Sequence, residues 1–158
     1  MSAEENIKQA LEDKFNFLRG RVVIKRERRM TLEVPAGNFA EVLKFAVGEL
    51  NFSFLSAITG LDNGDGFEVI YHMNKDGGIV LDLLIRIPRS EAVIETVTPL
   101  FATADAYERE LMDLLGIKVK GLTAGRRYPL PDEWPLGDHP LRKDWKGDLP
   151  ANNEVQNA

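Results

Sequence analysis

Three consecutive stretches decide the fold: Phe67-Glu68-Val69-Ile70-Tyr71-His72-Met73, the glycine turn Lys75-Asp76-Gly77-Gly78, and Ile79-Val80-Leu81-Asp82-Leu83-Leu84-Ile85-Arg86-Ile87. Phe67, Val69, Tyr71 and Met73 alternate with Glu68, Ile70 and His72, and Ile79, Leu81, Leu83, Ile85 and Ile87 alternate with Val80, Asp82, Leu84 and Arg86. A period of two puts successive side chains on opposite faces of a sheet, and the paired glycines mark the turn of a hairpin. Pro88 ends the second strand, because proline cannot donate to a ladder.

Outward from this hairpin the pattern changes to a helical one. Upstream, Phe39, Val42, Leu43, Ala46, Val47 and Leu50 fall on a single stripe with a period of 3.6. Burying these six side chains contributes roughly 9–15 kcal/mol before entropy, as an upper estimate. Phe52–Gly60 is a nearly continuous apolar run that reads as a further strand, closed by the turn Asp62-Asn63-Gly64-Asp65-Gly66. Earlier still, Ile7, Leu11, Phe15 and Leu18 predict a helix from Glu4 to Leu18, and 21–25 and 28–35 predict two short strands. Downstream, a helix is expected over about 103–115, with Gly116 at the position where helices turn left-handed. The order α-β-β-α-β-β-β-α predicts an α+β fold: a two-layer sandwich with a mixed sheet of about five strands.

Composition narrows the function. The chain has 158 residues, 44% hydrophobic and 28% charged, which fits one domain with a sizeable core and an appendage. A net charge of −5 argues against nucleic acid as the main partner. The run Lys25-Arg26-Glu27-Arg28-Arg29 is interrupted by Glu27 and flanked by apolar residues, so it reads as a solvated strand pair and not a phosphate site. Without cysteine there is no disulfide, thiol chemistry or cysteine-ligated cluster in this chain. The two histidines, His72 and His139, are far apart and have no metal-ligand spacing; His72 is expected on the polar face of its strand. The Asp62–Gly66 loop lacks an acidic third residue and has Met73 at the twelfth position, so it is a turn and not a calcium loop. The opening Met1–Asp13 is polar and acidic and shows no signal-peptide pattern, and no apolar run is long enough to cross a bilayer.

After Gly116 neither period survives. This last third holds both tryptophans, Trp134 and Trp145, and five of the eight prolines, which permit only short or extended structure. An aperiodic segment mixing Trp, Pro, Leu and both charges reads as a surface made to lie against something. At 100° per residue, Tyr107, Leu111, Leu114 and Leu115 form the apolar stripe of the preceding helix, with Arg109 and Asp113 opposite. Asp105–Arg109 and Arg109–Asp113 are i,i+4 pairs. Glu108 and Glu110 border the stripe on either side, about 160° apart, and each is expected to meet a downstream cation among Arg126, Arg127, Arg142 and Lys143. Two carboxylates diverging by that angle do not flank one scissile bond. There is also no Ser/His/Asp pattern, nucleophile elbow or phosphate loop.

The same residues carry a resemblance. Ala104-Asp105, Glu108-Arg109-Glu110, Asp113-Leu114, Gly116-Ile117, Arg126-Arg127, Leu130-Pro131-Asp132, Trp134 and Pro140-Leu141-Arg142-Lys143-Asp144-Trp145 follow one another at characteristic spacings. On them the chain resembles the 30 kDa subunit of respiratory complex I (NADH:quinone oxidoreductase), and the related subunit of membrane-bound, energy-converting nickel–iron hydrogenases. The resemblance covers roughly 55–145. It departs at Leu122-Thr123, where the complex I pattern has His-Pro, and this points toward the hydrogenase-like or ferredoxin-linked relatives.

The resemblance implies a cofactor-free structural and assembly subunit of a hydrophilic arm, peripheral on the cytoplasmic face of the membrane. Its implied partners are a hydrogenase-like large subunit and a cluster-bearing small subunit, with iron–sulfur clusters and a nickel–iron site expected in those chains. Residues 1–118 would form the α+β domain, 119–150 an extended docking segment and 151–158 a disordered tail. Glu108, Arg109, Glu110, Asp113, Gly116, Arg126, Arg127, Trp134, Pro140, Leu141, Arg142, Lys143, Asp144 and Trp145 would be the docking and structural residues. Alternatives are the 30 kDa subunit of NADH:quinone oxidoreductase proper, a stand-alone α+β hydrolase using Glu108 or Glu110, and an adaptor that binds an unrelated partner through the tail.

Overall fold

The computed structural model describes residues 1–147. The expected tail over 151–158, and the last part of the docking segment, 148–150, lie outside the described residues. The chain runs α1 (Ala3–Lys14), β1 (Val22–Arg26), β2 (Arg29–Glu33), α2 (Phe39–Gly48), β3 (Phe54–Asp62), β4 (Gly66–Lys75), β5 (Ile79–Pro88), β6 (Val93–Glu95), α3 (Ala104–Leu115) and β7 (Lys118–Lys120). Five strands form a mixed sheet in the order β1-β2-β5-β4-β3. This is the two-layer α+β architecture that the periodicities predict.

The hairpin behaves as its alternation requires. His72 pairs with Asp82 and Met73 with Leu81 across the antiparallel β4–β5 ladder. The odd-numbered residues from Phe67 to Met73 and from Ile79 to Ile87 are buried. The β1–β2 hairpin joins on the far side of β5, with β2 parallel to β5. α2 makes the crossover. Phe39, Val42, Leu43 and Ala46 are buried as expected, whereas Val47 and Leu50 are only partly covered, Leu50 lying beyond the helix end at Gly48.

The start of α1 is closed by a capping box, in which Ser2 Oγ accepts from Glu5 N and Glu5 Oε2 accepts from Ser2 N. The first predicted helix is shorter than its pattern: α1 ends at Lys14, and 16–18 forms a separate single turn that carries Leu18 into the core. The third predicted strand begins two residues late, since Phe52 is buried in the preceding turn and Asn51 adopts a φ of 61°.

Apolar residues of all three helices join the odd-numbered sheet residues in one core. α3 lies closest to β3. A Cβ at Gly60 would come within 2.5 Å of both Leu111 Cδ2 and Leu115 Cδ1, so the helix is seated directly on that backbone. β6 and β7 form a small parallel pair on either side of α3, a βαβ unit that the sequence does not announce. β7 runs across residue 118, so the aperiodic segment begins at Gly121.

Candidate functional site

The last four carbonyls of any helix have no partner within it. In α3 the aperiodic segment answers them. Gly116, at φ 70°, turns the chain so that its N–H reaches Met112 O at 3.0 Å. His139 Nδ1 donates to Asp113 O at 2.8 Å, Leu141 N to Leu114 O at 3.0 Å, and Arg142 Nε to Leu115 O at 2.6 Å. A carbonyl can only accept, so Nδ1 is the protonated nitrogen of His139. Cationic and donor groups here also complement the negative end of the helix dipole. The Arg142 guanidinium then lies 5.5 Å from the centre of the Phe67 ring.

Asp113 is the second anchor. Its Oδ1 accepts from Arg127 Nη2 at 2.7 Å and its Oδ2 from Leu130 N at 2.9 Å, and it is buried beneath the folded-back chain. Arg127 Nη1 continues to Trp134 O at 2.8 Å. The two tryptophan rings stack, and both indole N–H groups donate to Asp138: Trp134 to its carbonyl, Trp145 to its carboxylate. Arg109 pairs with Asp105 through two bonds and reaches Thr123 O at 2.8 Å.

The third anchor is Asp62, at the end of β3. It accepts from Gly64 N at 2.8 Å, from Lys143 N at 2.9 Å and from the Arg89 guanidinium at 2.5 Å. Burial opposes its charge, but these donors win and hold the carboxyl at about 2. Arg89 also faces Asp144.

Two pairings differ from the expected ones. The tail does fold onto α3, but its cations do not meet Glu108 or Glu110. Glu108 is fully buried and accepts from Thr96 Oγ1 at 2.6 Å and Val97 N at 2.7 Å, so neutral donors of the loop before α3 satisfy it. Burial pushes its carboxyl up, and these two donors only partly offset that. Glu110 is half-buried and makes no salt bridge among the described residues. The helical wheel sets Asp113 on the solvent side, but the tail covers that side, so Asp113 and not Arg109 becomes the buried partner. Arg109 makes its ion pair with Asp105 instead. The hydrogen bonds of Arg142, Lys143 and Asp144 run into their own domain.

The sheet also brings together a grouping that no sequence motif reveals. His72 lies between Asp82, with Nδ1 to Oδ1 at 2.6 Å, and Thr59, with Nε2 to Oγ1 at 2.9 Å, while Arg29 holds Asp82 from the other side. The hairpin turn fixes the His72–Asp82 register, and that register is the one signal of the grouping along the chain. The three atoms have the connectivity of a nucleophile relay. However, strand N–H groups around them are engaged in the ladders, so among the described residues no backbone donors of these strands converge on a reacting oxygen. The cluster works as a charge network on the sheet face.

Known proteins are similar to this chain in sequence and in fold. The family model described as "Respiratory-chain NADH dehydrogenase, 30 Kd subunit" matches residues 32–150. A subunit of the F(420)H(2) dehydrogenase of Methanosarcina mazei is 34% identical over 142 residues, 88% of this chain and 89% of that protein. The membrane-bound hydrogenase subunit beta of Pyrococcus furiosus is 27% identical over 156 residues, 93% of this chain and 88% of that one. Among solved structures, a chain of the membrane-bound sulfane sulfur reductase, an archaeal respiratory membrane complex, superposes with a TM-score of 0.79 at 27% identity. That match covers 92% of this chain and 86% of the other.

Proposed function

We propose, since the chain belongs to the respiratory-chain NADH dehydrogenase 30 Kd subunit family, that it is a cofactor-free docking and assembly subunit of a membrane-bound, ion-translocating oxidoreductase. The observation that carries this reading is the pinned tail. A segment without helix or strand from Gly121 to Gly147 is held at the α3 carbonyls, at Asp113 and at Asp62. Such anchoring orders a polar, aromatic-rich surface before any partner arrives, which lowers the entropy cost of association.

In this reading the tail docks on a hydrogenase-like large subunit beside a cluster-bearing small subunit. Electron transfer belongs to those chains, in iron–sulfur clusters and a nickel–iron site. The protein sits peripherally on the cytoplasmic face; no helix among the described residues is long and apolar enough to cross a membrane. Leu122-Thr123 and the likeness to the hydrogenase and sulfane sulfur reductase chains favour a hydrogenase-like or ferredoxin-linked complex. The family's own description favours a second reading, the 30 kDa subunit of NADH:quinone oxidoreductase proper. Assaying the purified complex with NADH and with reduced ferredoxin separates the two. A hydrolase reading fits poorly, because both oxygens of Glu108 are occupied inside the core.

The test is purification of the affinity-tagged chain from its native membranes in mild detergent. It should bring down a cysteine-rich small subunit and a hydrogenase-like large subunit in equal amounts. Recovery as a monodisperse free monomer from the soluble extract would overturn the proposal.

A further inference from the structure

Asn63 is the one asparagine of the chain that precedes a glycine. It stands exposed in the turn between β3 and β4, with Gly64 at a φ of 93°. Asparagine side-chain amides are thermally labile. A following glycine makes this one the most reactive of the chain, because no Cβ shields the glycine nitrogen. That nitrogen, once deprotonated, attacks Cγ of Asn63; the bond from Cγ to the side-chain nitrogen breaks and ammonia leaves. Water then opens the cyclic imide at either carbonyl, giving aspartate or isoaspartate. The net change is water in and ammonia out, with no redox step.

The fold opposes the first step. Gly64 N donates to Asp62 Oδ1 at 2.8 Å, Gly64 O accepts from Arg89 Nε at 2.8 Å, and Asn63 N donates to Gly66 O at 3.0 Å. A carboxylate that accepts from an N–H favours keeping its proton, both by the hydrogen bond and by its charge. Nor does Asp62 serve as a base here, since its donors hold the carboxyl at about 2. Swinging Gly64 N onto Cγ also requires the turn to give up these bonds. The lock extends to the tail through Asp62, whose Oδ2 accepts from Lys143 N at 2.9 Å, and through Arg89, which faces Asp144.

We propose that Asn63 is a spontaneous deamidation site held shut by the tail, converting to aspartate and isoaspartate in copies whose 142–145 segment has left Asp62. Isoaspartate routes the backbone through the side-chain carbons. That displaces Gly64 N from Asp62 and removes one of the donors that keep this carboxylate in place. Conversion therefore makes release of the tail one-way and marks the copy that has lost it.

The experiment incubates the full-length folded chain at mildly alkaline pH in heavy-oxygen water and follows the peptide containing Asn63 and Gly64 by mass spectrometry. A guanidinium-unfolded sample gives the reference rate. Folded wild type should convert at least about tenfold more slowly than that reference, because a closed turn reacts only through its local openings. Lys143→Pro deletes the N–H that reaches Asp62 and sets proline at the second position of the Arg142–Trp145 turn, where it is favoured. It should speed conversion several-fold, whereas Lys143→Ala keeps that N–H and should react as wild type does. Arg89→Gln, which loosens Gly64 O and Asp62 together, should also react faster than wild type. Converted wild type, separated by its added charge on anion exchange, should be cut between 121 and 147 faster than unconverted protein. Folded wild type reacting at the unfolded rate, or no conversion in guanidinium, would overturn the site. Wild-type rates in both Lys143→Pro and Arg89→Gln would overturn control by the tail, and equal cleavage of converted and unconverted protein would overturn the one-way mark.

Discussion

Asp62 and Glu108 are both carboxylates packed against the tail or within α3, and their surroundings push them in opposite directions. Asp62 is held at about 2 by the Gly64 and Lys143 N–H groups and Arg89, against the effect of burial. Its folded value lies below its unfolded one, so its stabilisation is complete above about pH 4 and disappears as pH falls toward 2. Asp62→Asn breaks a buried ion pair and should cost about 3–5 kcal/mol at pH 7. Urea melts of both proteins should converge near pH 2. Glu108 is raised by burial, so its sign is reversed: its contribution is present at low pH and lost as pH rises through the elevated folded value. Glu108→Gln, which can still accept from Val97 N and bond Thr96 Oγ1, should gain stability relative to wild type with increasing pH. Glu108→Ala leaves the Val97 N–H buried without an acceptor and should cost about 1–3 kcal/mol. Thermal melts from pH 4 to 9 read both. The helical wheel correctly places Glu108 at the edge of the apolar stripe. That its partners are Thr96 and Val97 depends on a loop whose path no local pattern records.

At the scale of elements, α3 is the joint between domain and tail. Its length and its end at Gly116 are legible, because helical period and a left-handed glycine are local properties. What caps it is not, since His139, Leu141 and Arg142 reach it across more than twenty residues. Gly116→Ala should be doubly unfavourable. The left-handed conformation costs a β-carbon residue about 1–2 kcal/mol, and that carbon would come within 2.5 Å of the His139 ring. Arg142→Ala removes a charged donor from Leu115 O and should cost about 1.5–3 kcal/mol. In both variants limited proteolysis should cut between 121 and 147 faster than in wild type, while the hairpin core remains resistant. The long alternating strands β4 and β5 are equally readable. β6 and β7, three residues each, are too short for any period to show and exist because α3 brings them side by side.

For the whole molecule, none of the buried core residues among the described ones lies beyond Ile117. A chain ending after Gly121 should therefore keep the far-UV circular dichroism of a folded α+β domain, melt at a lower temperature, and fail to co-purify with the complex. Preserved co-purification of that truncation would move the docking surface away from the tail. The α+β class, the hairpin, the amphipathic faces of α2 and α3 and the family can all be read from the order of residues, because periodicity, turn chemistry and motif spacing are written along the chain. The three-dimensional arrangement alone makes Asp113 and Asp62 the anchors, gives Glu108 to a loop and brings Lys143 to the turn that holds Asn63. Those outcomes depend on which donors arrive when the chain reverses over α3, and an aperiodic segment carries no local signal of where it will come to rest.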